Sequence, residues 1–488
     1  MKLNLNIIVV VLLVNSVIVI NGQNGLCTVY VSNNVTTNSP DQLECGSSVN
    51  STCKTLDNAI RFCLAAREIN ISVTFDSGVY SMNTNYSGMN LYGKGFSMIG
   101  HPTDVTTIDC ATTVDVNQIF AITNTQGNGN QSTSFSVSNL SFINVKASLL
   151  DIQSEVGPGK VTVSLENSSF QGSSALLLLN VKGNPGNPGL VNIQLNNVLL
   201  QGQFGPVISS TSATVSLGVK MSGCTTMSIS YFHFTNSILT VSSSVISGAV
   251  NELTGISILE LDNTNYQING TKYTDSNNVQ FISATNTPQG AKPTLSNTTF
   301  FKNQGTLITL SNAQLTMDNC IFSANDSPNG TIVSVTKSQL QVSNGHINLN
   351  TGTIFTFQNS QITLQQMTVF TNYDYQLFNC QNSNITVTNI TMEGNTDELN
   401  DSQVSCQQCQ YTDLNSDLDL CTATSSSDTS DPDNNLYKVH IMLIVLGSVF
   451  GFALVIIFGY FIFKKFQHRS HTRNQKLNNT IRQPLLYR

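Results

Sequence analysis

Apolar and polar residues alternate along this chain in short bursts, and the bursts recur. Four consecutive segments lie in register: LITLSNAQLTMDNCIF from Leu307, IVSVTKSQLQVSNGHI from Ile332, IFTFQNSQITLQQMTV from Ile354 and LFNCQNSNITVTNITM from Leu377, at offsets of 25, 22 and 23 residues. The apolar columns are Ile308/Val333/Phe355/Phe378, Leu310/Val335/Phe357/Cys380, Leu315/Leu340/Ile362/Ile385, Met317/Val342/Leu364/Val387 and Phe322/Ile347/Val369/Met392. Between the second and third columns falls a polar corner, Gln314/Gln339/Gln361/Asn384, beside Ala313/Ser338/Ser360/Ser383.

Within each repeat the apolar positions come in pairs two apart, which is the alternation of a strand. Successive pairs begin five to seven residues apart, too close for a hairpin partner or a crossover helix. Three short strands per repeat, each bending at a polar corner, predict one coil of a parallel β-helix, with coils stacked about 4.8 Å apart. The Gln/Asn column is expected to form an amide ladder. Leucine-rich repeats need a fixed Leu/Asn frame and propellers need longer four-stranded units, and neither fits. The same grammar runs upstream with longer Gly/Asn/Pro inserts. Residues 71–395 are therefore expected to hold roughly a dozen coils, a rod on the order of 60 Å long.

Other patterns flank this region. Thr55–Ala66 has helical spacing at Leu56, Ile60 (or Ala59), Cys63 and Leu64, with Thr55 as N-cap. It predicts an amphipathic helix that covers the exposed first coil, inside an N-terminal cap at 23–70. Residues 441–463 form an uncharged apolar run long enough for one transmembrane α-helix. All 28 acids precede it, and the tail 464–488 carries seven Lys/Arg and no acid, so the tail is expected in the cytoplasm. Residues 1–22 read as a signal peptide and 396–440 as an acidic, Cys-containing juxtamembrane stalk. The expected protein is all-β outside the membrane, single-pass and type I, in the plasma membrane or an endolysosomal membrane. Gly447 and Gly451 form a GxxxG that would permit a homodimer. Leu485-Leu486 lacks the upstream acid of a sorting signal.

Composition narrows the partners. The segment before the run is acidic and spreads its charge, which excludes nucleic acid and anionic membrane surfaces as ligands. An extracellular glycan or protein remains. Fourteen glycosylation candidates stand in that segment: Asn34, Asn50, Asn70, Asn85, Asn130, Asn139, Asn167, Asn269, Asn297, Asn325, Asn329, Asn384, Asn389 and Asn400. The 11 cysteines suit a disulfide-permissive compartment. Disulfide candidates cluster at the two ends: Cys27, Cys45, Cys53, Cys63 and Cys110, then Cys406, Cys409 and Cys421, while Cys224, Cys320 and Cys380 lie singly between. Cys406-Gln-Gln-Cys409 has metal or redox spacing, but no second CxxC or nearby His supports it, and a structural disulfide is expected.

The opening segment carries a resemblance. Tyr30-Val31-Ser32, Cys45-Gly46, Cys53-Lys54-Thr55-Leu56, Ala59-Ile60 and Gly78-Val79-Tyr80 resemble the start of pectin-lyase-like right-handed β-helix proteins, and the Asn/Thr-rich, single-pass layout resembles surface proteins of social amoebae. The resemblance implies a right-handed parallel β-helix and leaves activity open, since that fold carries lyases, hydrolases, esterases and adhesins.

The chemistry of those enzymes is searchable here. Lyases of the family use an arginine base with acidic calcium ligands, yet the expected ectodomain holds only Arg61 and Arg67, both assigned to the predicted capping helix and far from the middle coils. Hydrolases need paired carboxylates, and Asp262, Asp275, Asp318 and Asp326 are isolated in sequence. Asp318 aligns with Ser343, Gln365 and Thr388. His101, His233 and His346 stand alone. The expectation is a non-enzymatic surface-binding, adhesive or coat glycoprotein with no cofactor, metal or catalytic residue. The rival is a membrane-tethered polysaccharide lyase or glycoside hydrolase, with acids that converge only in three dimensions.

Overall fold

The computed structural model describes residues 25–32, 52–65 and 70–414, except 83–88, 112–117, 124–131, 146–147, 155–159, 173–177, 185–188, 203–205, 223–229, 251–255, 371–374 and 394–403. The segments expected as signal peptide, transmembrane helix and tail, with Gly447 and Gly451, lie outside the described residues. Among the described residues no helix is long and apolar enough to cross a membrane.

Among the described residues every strand pairing is parallel, and each strand pairs with its counterpart one coil away. One 13-stranded sheet forms a first face, from Met89–Asn90 to Val404–Gln407. The second sheet has 23 strands and bends into two faces. In the coil beginning at Ile308, the three faces are Ile308–Ser311, Gln314–Asp318 and Ile321–Ser323. The alternation in the sequence produces this arrangement directly: inward residues stack into continuous columns and outward ones into polar rows.

The register is the one the repeats predict. Leu310, Val335, Phe357 and Cys380 form one inward column, and Leu315, Leu340, Ile362 and Ile385 another. Aromatic rings thread the core: Phe300 stacks on Phe322 with centroids 4.7 Å apart, and Phe357 lies 5.7 Å from Phe355. Burial of one such side chain contributes about 1.5–3 kcal/mol, repeated in coil after coil.

From Ser212 onward a residue with positive φ turns every corner that follows the first face. These are Ser212, Asn236, Asn263, Asn286, Asn312, Lys337, Asn359, Asn382 and Gln408. Asn tolerates this left-handed geometry better than other side chains that carry a Cβ, which explains the asparagine-rich composition. A small residue then turns inward. Ser338 Oγ accepts from the Ala313 amide at 3.0 Å, Ser360 Oγ from Ser338 at 3.2 Å and Ser383 Oγ from Ser360 at 3.0 Å.

The ladder at this corner is therefore a hydroxyl ladder, not the expected amide ladder. Gln314, Gln339, Gln361 and Asn384 do stack in register, but on the exposed side. The inward position is where backbone N–H groups need partners, so hydrogen bonding concentrates there. A true amide ladder stands at the third corner. Asn303 Nδ2 donates to Asn325 Oδ1 at 2.9 Å, and Asn325 Nδ2 to Asn350 Oδ1 at 3.0 Å, all three side chains being buried.

The ends of the solenoid differ from expectation. Leu26–Val31 pairs in parallel with Asn70–Phe75, so the first rung lies inside the segment assigned to a cap. The helix Leu56–Ala65 buries Leu56, Ala59, Ile60 and Cys63 in the common core, and the Asn58 amide donates to Thr55 Oγ1 at 3.3 Å. At the other end Val404–Gln407 and Gln410–Leu414 add another coil, so the solenoid runs past 395 into the expected stalk. Val404–Gln407 and Gln410–Leu414 carry few apolar residues, which is why their pattern is faint in the sequence.

Disulfides join Cys27 to Cys63, tying helix to first rung, and Cys380 to Cys409 across the last corner. Cys53 and Cys406 are also disulfide-bonded. Cys380 is thus a staple, although its position in a strand column hid it. Cys110, expected among the staples, is a buried thiol, as is Cys320. Cys110 is fully buried just after the strand Thr106–Asp109 of the third face. Cys45, Cys224 and Cys421 lie outside the described residues.

Candidate functional site

The outward side of the first face carries two axial rows. One runs Asp151, Asn180, Ser209, His233, Glu260, Ser283, Thr309, Ser334, Thr356, Asn379 and Ser405. The other runs Gln153, Lys182, Thr211, Thr235, Asp262, Thr285, Ser311, Thr336, Gln358, Gln381 and Gln407. All the charge in these rows sits in the upstream half, on Asp151, Lys182, His233, Glu260 and Asp262.

Register alone assembles this patch. His233 and Glu260 are 27 residues apart in sequence and neighbours across adjacent coils, with Nδ1 to Oε2 at 3.0 Å. The Glu260 carboxylate raises the His233 pKa above its ordinary value, chiefly through that hydrogen bond, and partial burial opposes the rise. The same bond holds Glu260 below the ordinary carboxylate range, with Ser230 helping. Thr235 Oγ1 lies 3.0 Å from His233 Nε2. Asp262 accepts from Thr285 Oγ1 and Asn286 Nδ2, both at 3.0 Å. Asp151 is buried and accepts from Gln153 Nε2 and Asn180 Nδ2, both at 2.7 Å.

Glu260 and Asp262 thus share one strand and one face, the convergence of acids that sequence spacing concealed. A general acid for glycoside cleavage needs a carboxyl whose pKa is raised. Glu260 is shifted the other way, and Asp262 is already solvated by protein donors. The arrangement supplies fixed hydrogen-bonding groups along a flat strip. Glu260, Asp151 and Lys182 gave no motif, because the coils that bring them together differ in length.

The other sequence candidates stay apart. Asp318 is stacked on Ser343 and accepts from Ser343 Oγ at 2.9 Å and Asn344 Nδ2 at 2.7 Å. Asp326 accepts from Thr351 Oγ1, and Asp275 occupies a positive-φ corner. His101 Nδ1 accepts from the Asp104 backbone amide at 3.1 Å within its own loop, and His346 stands exposed on the third face. Arg61 lies on the helix, while Arg67 is outside the described residues. Among the described residues no group of three or more His, Cys, Asp or Glu could hold a metal ion.

Asn167, Asn269, Asn297, Asn384 and Asn389 are exposed and Asn70 and Asn139 half-buried, whereas Asn325 is 1% exposed. Asn325 is therefore no surface acceptor, because its amide belongs to the core ladder. Asn329 lies in the strand Asp326–Thr336, and Asn34, Asn50, Asn85, Asn130 and Asn400 lie outside the described residues. Four of the candidates, Asn139, Asn167, Asn297 and Asn389, have positive φ at the second corner. The turn itself selects asparagine there, and an outward Ser or Thr follows two residues later.

A family model described as a right-handed beta helix region matches residues 285–430. Similar solved structures include the Streptococcus pneumoniae surface protein and adhesin PfbA, at 10% identity over 73% of this chain and 95% of that one, TM-score 0.34. Tailspike protein 3 of bacteriophage CBA120 is similar at 12% identity over 72% and 58%, TM-score 0.31. The Azotobacter vinelandii mannuronan C-5 epimerase AlgE4 A-module is similar at 12% identity over 73% and 94%, TM-score 0.28. No curated protein matches the chain in sequence. The strand register and the family model define a right-handed parallel β-helix.

Proposed function

We propose that this chain is a glycosylated, type I single-pass surface protein whose β-helix binds an extracellular ligand without transforming it. The observation that carries the proposal is the outward strip of the first face, where Asp151, Glu260 and Asp262 are each already engaged by hydrogen bonds from neighbouring side chains. The rod presents Ser, Thr, Asn and Gln donors and acceptors at a fixed repeat of about 4.8 Å, a surface suited to repetitive or extended ligands. The charge-sorted run at 441–463 supports tethering with the tail in the cytoplasm, in the plasma membrane or an endolysosomal membrane.

The purified full-length protein, incubated with polyuronates and neutral glycans with and without calcium, is expected to release neither unsaturated nor reducing ends. The proximity of Glu260 and Asp262 favours the rival hydrolase. Turnover that disappears in Glu260→Gln or Asp262→Asn would establish that rival and end the binding-only proposal.

A further inference from the structure

A second feature lies on a different side of the rod. An open groove of about 600 Å³ is bounded by the loop His101–Thr106, by the corner asparagines Asn139, Asn167 and Asn197, and by Ser141, Ser169 and Leu199 of the third face. Its floor is one outward row, Ser141, Ser169 and Leu199, running along the axis at the strand repeat of about 4.8 Å. Ser169 Oγ donates to Ser141 Oγ at 2.9 Å. Asn197 Nδ2 donates to Asn167 Oδ1 at 2.9 Å, and both side chains are exposed beside the floor.

The groove is built rather than incidental. Gly100 occupies the corner position above Asn139, and a Cβ there would lie 1.9 Å from the Asn139 carbonyl oxygen. Only glycine lets the loop cross so closely. The loop is then fixed by His101 N donating to Thr106 Oγ1 at 3.0 Å, by Thr106 Oγ1 donating to Asp76 O at 3.1 Å, and by His101 Nδ1 accepting from the Asp104 amide at 3.1 Å. Val105, 74% exposed, stands on this loop, and Leu199 ends the floor, giving apolar contacts beside the amides.

From this geometry we infer that the groove binds a neutral, linear, β-linked oligosaccharide lying along the rod axis; the inference rests on the surface-binding proposal above. Hydroxyls and planar amides at a fixed repeat match the hydroxyls of an extended pyranose chain, and Val105 and Leu199 suit the apolar faces of its rings. The lining holds Asp104 and no Lys or Arg, which disfavours anionic sugars. A peptide strand would seek a free backbone edge, and the groove offers side chains instead. The inference requires Asn139 and Asn167 to be unmodified, because a glycan on either would fill the groove.

The test uses full-length protein and a panel of hexasaccharides: β-1,4-glucan, β-1,4-mannan, β-1,4-galactan and polygalacturonate. One neutral probe is expected to bind with 1:1 stoichiometry by calorimetry, and polygalacturonate is not. Ser169→Phe, outward in the floor, should weaken binding at least ten-fold, whereas Thr368→Phe, outward on the same face far along the rod, should leave it unchanged. Peptide mass spectrometry should find Asn139 and Asn167 bare. Binding that survives Ser169→Phe, or a glycan on either asparagine, overturns the groove and leaves surface binding standing. Failure of every probe to bind overturns the groove, whereas glycan turnover overturns the surface-binding proposal on which it rests.

Discussion

Asn325 meets Asn350 twice: its backbone N–H donates to Asn350 Oδ1 at 2.9 Å and its Nδ2 donates to the same oxygen at 3.0 Å. Asn325 Nδ2 also donates to the Phe300 carbonyl at 3.1 Å, so both amide hydrogens are used inside the rod. The third corner leaves inward-facing backbone groups one coil apart, and a planar side chain with one acceptor and two donors satisfies them at both levels.

This ladder sets the first prediction. Asn325→Ala should leave the amide and carbonyl groups of neighbouring coils without partners, at about 1–3 kcal/mol for a buried unsatisfied group. A lower denaturation midpoint in urea is the expected readout. Glycopeptide mapping of the native protein should find Asn325 unmodified although Asn325-Asp-Ser fits the acceptor pattern. A glycan there in folded protein would contradict the buried ladder.

Phe357 gives the second. It stacks in register between Val335 and Cys380, 6.1 Å from the Phe378 ring, while its neighbour Gln358 faces out. Phe357→Asp would place an unpaired charge in a continuous core and should cost several kcal/mol. The variant is expected to fail secretion, whereas Gln358→Asp should be secreted normally. Equal secretion of the two would mean that the inward and outward rows are exchanged.

How far such features can be read from the chain depends on coil length. From Leu307 onward the repeats differ by three residues at most, so Phe357, Val335 and Cys380 line up by inspection. His233 and Glu260 belong to coils with longer connections, and their contact needs the register before it can be seen. Hydrogen bonding at corners is harder still. Asn is favoured at a positive-φ corner and in an internal ladder, for different reasons, so composition alone does not tell Asn312 from Asn303. The Cys380–Cys409 bond was hidden in the same way, because Cys380 occupies an ordinary apolar column.

The third prediction follows from His233 and Glu260. The raised His233 pKa adds stability that is present below its ordinary 6.5 and is lost as pH rises through the raised value. The lowered Glu260 pKa adds stability that is present above its ordinary 4.5 and is lost as pH falls through the lowered value. Both contributions are complete between those two ordinary values. With side chains 32% and 34% exposed, solvent screening limits the pair to about 1 kcal/mol or less. The stability difference between wild type and Glu260→Gln should therefore be greatest near pH 5–6.5 and shrink on either side. A difference that grows steadily toward pH 9 would show that the pair is not formed.

The fourth concerns the two buried thiols. Burial pushes both Cys110 and Cys320 up to about 12, with the carboxylates of Asp109 and Asp318 adding to the rise. The thiolate is the reactive form, so alkylation by iodoacetamide at pH 8 should label neither residue in native protein and both after denaturation. Cys320 occupies the inward place after the second corner, where preceding coils carry Ser244, Thr271 and Thr298, and its Sγ approaches the Leu295 carbonyl at 3.4 Å. A hydroxyl can make the same contact. Cys320→Ser should accordingly cost no more than about 1 kcal/mol, the net worth of one hydrogen bond either way. Cys320→Leu, which adds volume beneath Thr298 and removes the donor, should cost about 1–3 kcal/mol by overpacking. A reversed order, with leucine tolerated and serine disruptive, would mean that this corner position is an apolar site and that its donor plays no part in closing the coil.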